Sequence, residues 1–531
     1  MSTDVSLSMR IKNHFLSEKR NGIIDVLRGL SIVMVIVSHF GLIAYAPHLA
    51  QHPIGGRTLI EIENGMGYYG VIVFFVISGF LITSLTLRRY TTLPQINFSE
   101  FWWFRFSRIM PMLGLCVVTI ISFGLFHLPG FAIYSNSQLV KGVTSILSFR
   151  YNEIAGTTIP SVWSPLWSLS VEEMFYFAFP LVCLLLTGFG SIVWVFFTTF
   201  ATILYLKYAN QATAFSTLGC VDYLALGCLI AIIKPARLKN HLSDFSKTVL
   251  GWFIFVLGLA VIGFSVFKRA PFDTHIITLL CALGAALVIV SSEVLKLPSK
   301  SLYFLLPITL LGISSYEAYL LHLPLRDVLS LIGIHKISLQ LLIIIIAALM
   351  LNFFFSEPMN QWLRHLHDDK KRNIAGFKKY ASITLGLIAC LILFPLSYKH
   401  MGSNPTVINV VIADVANLPS QTVEPIAVLG QRGAGDMVYL KHIDSHHICL
   451  GIDHWGSKPC VSDVIDIDSI MNKTLVIHFD TKRTEVDGLG RVLIANETPP
   501  YTRLGEIVIG VNNEGFSNAL TLSASKFVTV P

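Results

Sequence analysis

IIDVLRGLSIVMVIVSHF, residues 23–40, is apolar enough to cross a bilayer and yet carries Asp25, Arg28 and His39. An Asp or Arg at the centre of a membrane helix costs about 2.5–3.5 kcal/mol, so a span used for packing alone would hardly keep them without partners. At about 100° and 1.5 Å per residue, the step from Arg28 to His39 returns to the same helix face about 16 Å further along. One stripe therefore presents a fixed cation near the start of the span and a titratable base deep inside it. Asp25, one turn before Arg28, is placed to hold the guanidinium as an i, i+3 pair. A cap at the membrane interface is its simpler use.

The rest of the chain has the same character. Hydrophobic residues make up 53% of the 531 and charged residues 13%, with a mean hydropathy of +0.65, which excludes an ordinary soluble enzyme. Windows of about 20 apolar residues predict spans at 23–44, 69–87, 110–127, 172–187, 190–207, 217–234, 249–267, 274–291, 303–322, 338–356 and 380–398. The expectation is a polytopic α-helical membrane protein of ten or eleven transmembrane helices. The small-x-small site Ala44-Tyr45-Ala46 admits a cleaved signal peptide, but a run this long and this charged suits an uncleaved anchor better.

Lys and Arg fix the orientation through their preference for cytoplasmic loops. Arg10, Lys12, Lys19 and Arg20 precede span 1, and Arg88, Arg89, Arg105 and Arg108 follow span 2. Lys234, Arg237, Lys239 and Lys247 follow span 6, and Arg364 and Lys370 to Lys379 follow span 10. All fall on one side; Lys268 and Arg269 after span 7 are the dissenters. The net charge of +7 is thus accounted for by topology, with no need for a nucleic-acid partner. An odd span count puts the tail outside, in the periplasm of a Gram-negative host, where Cys449 and Cys460 could form a disulfide. The other cysteines lie in or beside apolar spans and read as small hydrophobes.

Further stretches are polar where packing would not demand it: GVIVFFVISGFLITSLTLRR (70–89), FWWFRFSRIMP (101–111), WSPLWSLSVEEMFYFAFP (163–180), ISSYEAYLLHLPL (313–325) and FFFSEP (353–358). Arg105 and Arg108 share a helical face at the cytoplasmic mouth of span 3, as anion ligands or as positive-inside anchors. Ser78-Gly79 permits close helix approach. Glu172 and Glu173 open span 4, where Ser168 or Ser170 could cap the helix and one carboxylate in the first turn is favourable. His322 and Glu357 stand beside prolines, and helix termination is the leading reading for both. No Gly-rich phosphate loop, Cys-x-x-Cys pair or His-Glu-x-x-His zinc motif occurs.

In this order, and together with the Asp-x-x-Arg and Arg-x10-His pattern of span 1, these blocks resemble the acyltransferase-3 family of bacterial membrane proteins over residues 20–360. The resemblance implies transfer of an acyl group, first of all acetyl, from cytoplasmic acyl-CoA to a hydroxyl of a cell-surface or lipid-linked glycan such as O-antigen or exopolysaccharide. It implies His39 as the base that takes the hydroxyl proton, in keeping with a histidine pKa near working pH, with Arg28, Asp25 and Glu172 beside it. Arg105 and Arg108 match its Arg-x-x-Arg block and would hold the phosphates of coenzyme A, which a guanidinium binds in bidentate fashion. No metal is expected. A transporter or flippase of a lipid-linked glycan is the alternative, because charged stripes inside bundles also mark permeation routes.

The expected organisation is a cytoplasmic segment at 1–22, the membrane acyltransferase domain at 23–360, a basic cytoplasmic loop at 361–379, an additional span at 380–398 and a periplasmic domain at 399–531. That last domain reads as small and all-β, a β-sandwich, from Val/Ile/Thr-rich runs separated by turn residues. The resemblance extends to members carrying an external hydrolase-like domain here, marked by Gly-Asp-Ser; in this chain Gly435-Asp436 runs into Met437. The tail is therefore expected to bind an acceptor, with Trp455 and Asp453 as candidate contacts, and to do no chemistry.

Overall fold

A computed structural model of the chain describes residues 20–40, 59–126, 136–153, 161–185, 216–233, 244–267, 274–295, 305–334 and 336–367, together with a few short pieces between them and the strands lying between 406 and 529. The helices are α1 (Gly22–Phe40), α2 (Leu59–Tyr90), α3 (Phe98–Leu125), α4 (Asn136–Leu147), α5 (Leu166–Leu185), α6 (Thr217–Ile233), α7 (Asp244–Phe267), α8 (Thr274–Leu295), α9 (Leu306–Ile313), α10 (Ser315–Leu331), α11 (Ile337–Leu351) and α12 (Glu357–His367). Seven helices among the described residues are long and apolar enough to cross a membrane. The shorter α6 and the broken pair α9–α10 cover two more of the predicted spans. Span 380–398 lies outside the described residues, as does most of 190–207. Large apolar side chains stand exposed every three to four residues on α7 (Phe245, Val249, Phe253, Val256) and on α11 (Leu342, Ile346, Met350), the stripes that a hydrocarbon solvent would cover.

Two helix starts differ from the hydropathy reading. Helix α3 begins at Phe98, where Asn97 Oδ1 accepts the Glu100 N–H at 3.1 Å as an N-cap. The two arginines depress the hydropathy of FWWFRFSR, yet its aromatics continue the helix, so Arg105 and Arg108 lie two to three turns inside it rather than at a loop mouth. Helix α5 begins at Leu166, so Glu172 and Glu173 sit nearly two turns in. The serines expected to cap it bond backward instead, Ser170 Oγ to the Leu166 carbonyl at 3.2 Å and Ser168 Oγ to that of Pro165 at 3.4 Å. The capping reading of this segment is therefore wrong.

The prolines also behave differently from expectation. Helix α10 runs through Pro324, and His322 lies in its interior rather than at its end. Proline at 324 cannot donate to Leu320, and the Cys116 thiol approaches that carbonyl at 3.5 Å. Before Pro358, residues Asn352–Ser356 form one π-helical turn, and Glu357 opens α12. The Glu357 carboxylate accepts from the Asn360 and Gln361 side chains at 3.3 and 3.1 Å, and Asn360 Oδ1 accepts from Ser107 Oγ at 3.0 Å. Glu357 thus braces α12 against α3.

Glycines bring the site's helices together. A Cβ on Gly29 of α1 would meet the Ile308 carbonyl of α9, and one on Gly312 would meet the Asp25 carbonyl of α1. Gly79 of α2 and Gly227 of α6 stand in the same relation to the carbonyls of Leu224 and Val76, so the Ser-Gly pair in FFVISGF is the close-approach motif expected of it.

In the tail, strands β1 (Thr406–Ile412), β2 (Val423–Gln431), β3 (Ala434–His442), β4 (His447–His454), β5 (Cys460–Val461), β6 (Ile465–Asp466), β7 (Thr474–Phe479), β8 (Leu489–Asn496), β9 (Arg503–Gly510), β10 (Leu520–Leu522) and β11 (Val528–Thr529) pair antiparallel. They form one sheet in the order β11-β1-β7-β8-β9 and a second in the order β10-β2-β3-β4-β5, with β6 beside β4. The register sets Cys449 opposite Lys441 and Cys460 opposite Ile452. Residues 449 and 452 are an odd number apart, so the pairing does not set the two cysteines across from each other as a disulfide would require.

Candidate active site

Helices α1, α2, α3, α5, α8, α10 and α12 line a cavity of about 760 Å³. Asp25, Arg28, Arg105, Arg108 and Glu172 all line it, so five of the six site residues expected from the sequence meet in one place. The α1–α9 approach seats Arg28 against the start of α10, where its Nη2 donates to Ser315 Oγ at 2.8 Å. Asp25 is an attractive charge neighbour of Arg28, as is Glu317, whereas Arg108 opposes it. The Asp25–Arg28 association read from the i, i+3 spacing is thus electrostatic within a wider cluster. Tyr176 OH donates to Glu172 Oε2 at 3.0 Å and lies 2.8 Å from Ser78 Oγ, linking α5 to α2. Glu173 is buried beside Glu172 and does not line the cavity.

The cavity is more cationic than the motifs suggested. Arg20, Arg88, Arg89 and Arg364 join the three expected arginines, against the carboxylates of Asp25, Glu172 and Glu293. The sequence presented Arg20, Arg88, Arg89 and Arg364 only as orientation signals. Aromatic rings hold several of the guanidiniums in place: Arg89 lies 3.8 Å and Arg364 5.0 Å from the centre of the Phe104 ring, and Arg105 lies 5.7 Å from Phe101 and 5.6 Å from Tyr176. Trp103 Nε1 donates to the Leu363 carbonyl at 2.8 Å and fixes α12 to α3. The buried Nε atoms of Arg105 and Arg364 have no hydrogen-bond partner among the described residues. A buried donor left without a partner costs about 1–3 kcal/mol, more when charged, so the protein alone leaves these guanidiniums short of acceptors.

His39 does not line this cavity. It sits further along the same stripe of α1, with Nδ1 2.9 Å from Nε2 of the fully buried His322. The ring centroids are 5.0 Å apart and the ring planes differ by 28°, so the rings meet edge to edge. Arg326 donates from Nη1 to the His39 carbonyl at 2.9 Å and pairs with Asp327 at 2.7 Å. Tyr319 joins the two regions: it lines the cavity, its OH is 2.6 Å from Ser168 Oγ, and its carbonyl is 2.7 Å from His322 Nδ1. His322 and Tyr319 both stand in the block SYEAYLLHLP, but the three-residue spacing gives no hint of which ring meets His39.

The tail shows turn chemistry where the sequence is dense in His and Asp. The His446 N–H donates to Asp444 Oδ1 at 2.9 Å and His447 Nδ1 lies 2.8 Å from the same oxygen, which hold this exposed carboxyl below its ordinary pKa. Gly435-Asp436-Met437 lies within β3, with Asp436 and Met437 paired on both sides, rather than on a turn that could present a nucleophile. Trp455 lies outside the described residues. Among the described residues no group of three or more His, Cys, Asp and Glu is placed to hold a metal.

The O-acetyltransferase OatA of Staphylococcus aureus is 29% identical over 263 residues, covering 46% of this chain and 38% of that protein. The peptidoglycan O-acetyltransferase OatA of Listeria monocytogenes is 26% identical over 420 residues, covering 71% of this chain and 63% of that protein. The chain thus spans less than two thirds of the length of either relative. No solved structure matches it. The acyltransferase domain of the acyltransferase-3 type matches residues 21–357, which takes in every residue of the cavity except Arg20 and Arg364 and includes the histidine pair; the chain belongs to the acyltransferase-3 family of membrane proteins.

Proposed function

We propose that the protein moves an acyl group, first of all acetyl, from cytoplasmic acyl-CoA to a hydroxyl of a glycan at the outer face of the cytoplasmic membrane. The observation that carries this reading is the arginine cavity, where the buried Nε atoms of Arg105 and Arg364 have no partner among the described residues, joined through Tyr319 to a histidine pair deeper in the bundle. Coenzyme A is a polyanion at one end and a thioester on a long, uncharged arm at the other. Its phosphates suit the guanidinium forks, and its arm suits the distance of about 16 Å along α1 between Arg28 and His39.

In this reading His39 takes the proton of the acceptor hydroxyl as that oxygen forms a bond to the thioester carbonyl carbon. The C–S bond then breaks, and the coenzyme A thiolate leaves with the proton held by His39. The products are the glycan ester and free coenzyme A. The acceptor named for the Listeria relative is peptidoglycan, and a polymer outside the membrane is consistent with a β-rich tail on that side. The test is transfer of labelled acetyl from acetyl-CoA to defined glycans by purified protein in lipid nanodiscs. His39→Ala should lose about 10²–10⁴-fold in rate, the usual worth of a general base, while inserting and binding donor normally. Near-normal turnover in that variant would exclude the mechanism.

A further inference from the structure

We infer that His322 is a positioning residue that locks His39 in one tautomer, with the proton on Nδ1 and the lone pair on Nε2. The inference rests on the reading of His39 as the base, and it follows from counting donors and acceptors along a chain of three groups. A carbonyl oxygen only accepts, so the contact of 2.7 Å between the Tyr319 carbonyl and His322 Nδ1 requires the proton on His322 Nδ1. A neutral imidazole carries one N–H and one lone pair, so His322 Nε2 is then an acceptor. The 2.9 Å contact between His322 Nε2 and His39 Nδ1 therefore needs the proton on His39 Nδ1. His39 Nε2 is left with the lone pair, the form that can take a hydroxyl proton.

The surroundings keep this chain in one state. His322 is fully buried, on a helix whose backbone is tied to α3 by Cys116 at Leu320 and by Tyr316 OH at the Ile109 carbonyl, 2.9 Å. The His39 backbone is held from the same helix by Arg326. Neither ring can turn over without breaking a bond to a fixed partner. A second ring nitrogen that orients a reacting histidine has the same logic as the second-shell partners of metal-bound histidines, here supplied by another histidine.

The test pairs two substitutions with a direct reading of the tautomer. In nitrogen-15 histidine NMR of the full-length protein in nanodiscs, wild-type His39 should show a protonated Nδ1 and a bare Nε2. His322→Leu should leave His39 in a mixture of tautomers and lower kcat by about 10²-fold or more, with the KM for acetyl-CoA unchanged. His322→Gln can accept from His39 Nδ1–H through its amide oxygen. It should keep the tautomer and remain within about tenfold of wild type, the worth of one altered hydrogen bond. A bare Nδ1 on wild-type His39, or equal kcat in the Leu and Gln variants, would overturn the inference. If the wild type shows the expected tautomer but transfers no acyl group, the acyl-transfer reading falls while the tautomer lock stands.

Discussion

Replacing Arg105 by Gln removes one charged fork from the cavity while keeping a side chain of similar helix propensity, so the effect should fall on the donor alone. Arg105 is positioned by the Phe101 and Tyr176 rings, and its Nε has no hydrogen-bond partner among the described residues. The variant therefore breaks no internal hydrogen bond through that atom, and what it loses is the bond to the ligand. A hydrogen bond to a charged group contributes about 1.5–3 kcal/mol, which is roughly a 10- to 150-fold change in Kd. Two effects oppose each other around this value: the substitution relieves repulsion with Arg108, which favours the variant, and leaves Glu172 and Glu173 with less opposing charge, which repels an anionic donor. Arg105→Lys should fall between, keeping the charge and losing the planar fork that stacks on the rings. Arg150→Gln is the control, because Arg150 is exposed and paired with Glu153 away from the cavity. Calorimetric titration of coenzyme A into purified protein in nanodiscs reads all three, and the wild-type affinity should fall as salt rises. An Arg105→Gln variant that is folded and binds coenzyme A as wild type would refute the assignment of this cavity to the donor.

Three further outcomes are expected. Gly312→Val should push α9 off the Asp25 carbonyl and separate Arg28 from Ser315, lowering stability by about 1–3 kcal/mol; an unchanged thermal transition in detergent would contradict the close approach. Tyr176→Phe should leave Glu172 without its phenol donor, a loss of about 1–3 kcal/mol locally, and reduce transfer without altering expression; wild-type transfer would make the Ser78–Tyr176–Glu172 link dispensable. A phosphatase joined after Pro531 should be active outside the cytoplasm, and activity confined to a cytoplasmic reporter would reverse the topology.

The polytopic architecture, the family and the residues of the arginine cavity's core were readable from the sequence, because each rests on information local to the chain. Hydropathy adds up residue by residue, so the apolar windows found nine spans that the described helices occupy. The Arg28-to-His39 stripe follows from helix geometry alone, and the ordered motifs carried the family. Helix starts were less legible: polar residues inside FWWFRFSR and WSLSVEE masked helical segments that an Asn97 cap and a turn before Leu166 begin.

What only the tertiary structure decided is who meets whom across helices. Arg20, Arg88, Arg89 and Arg364 carry the same charge in any loop, and nothing in their sequence neighbourhoods separates a cytoplasmic anchor from a cavity wall. His322 beside a proline reads as a helix end until α10 is seen to continue and set its Nε2 against His39. A hydrogen bond between residues 283 apart in sequence depends on how α1 approaches α9 and α10 through Gly29 and Gly312. Such an approach is a property of packed backbones, whereas periodicity and composition describe one helix at a time.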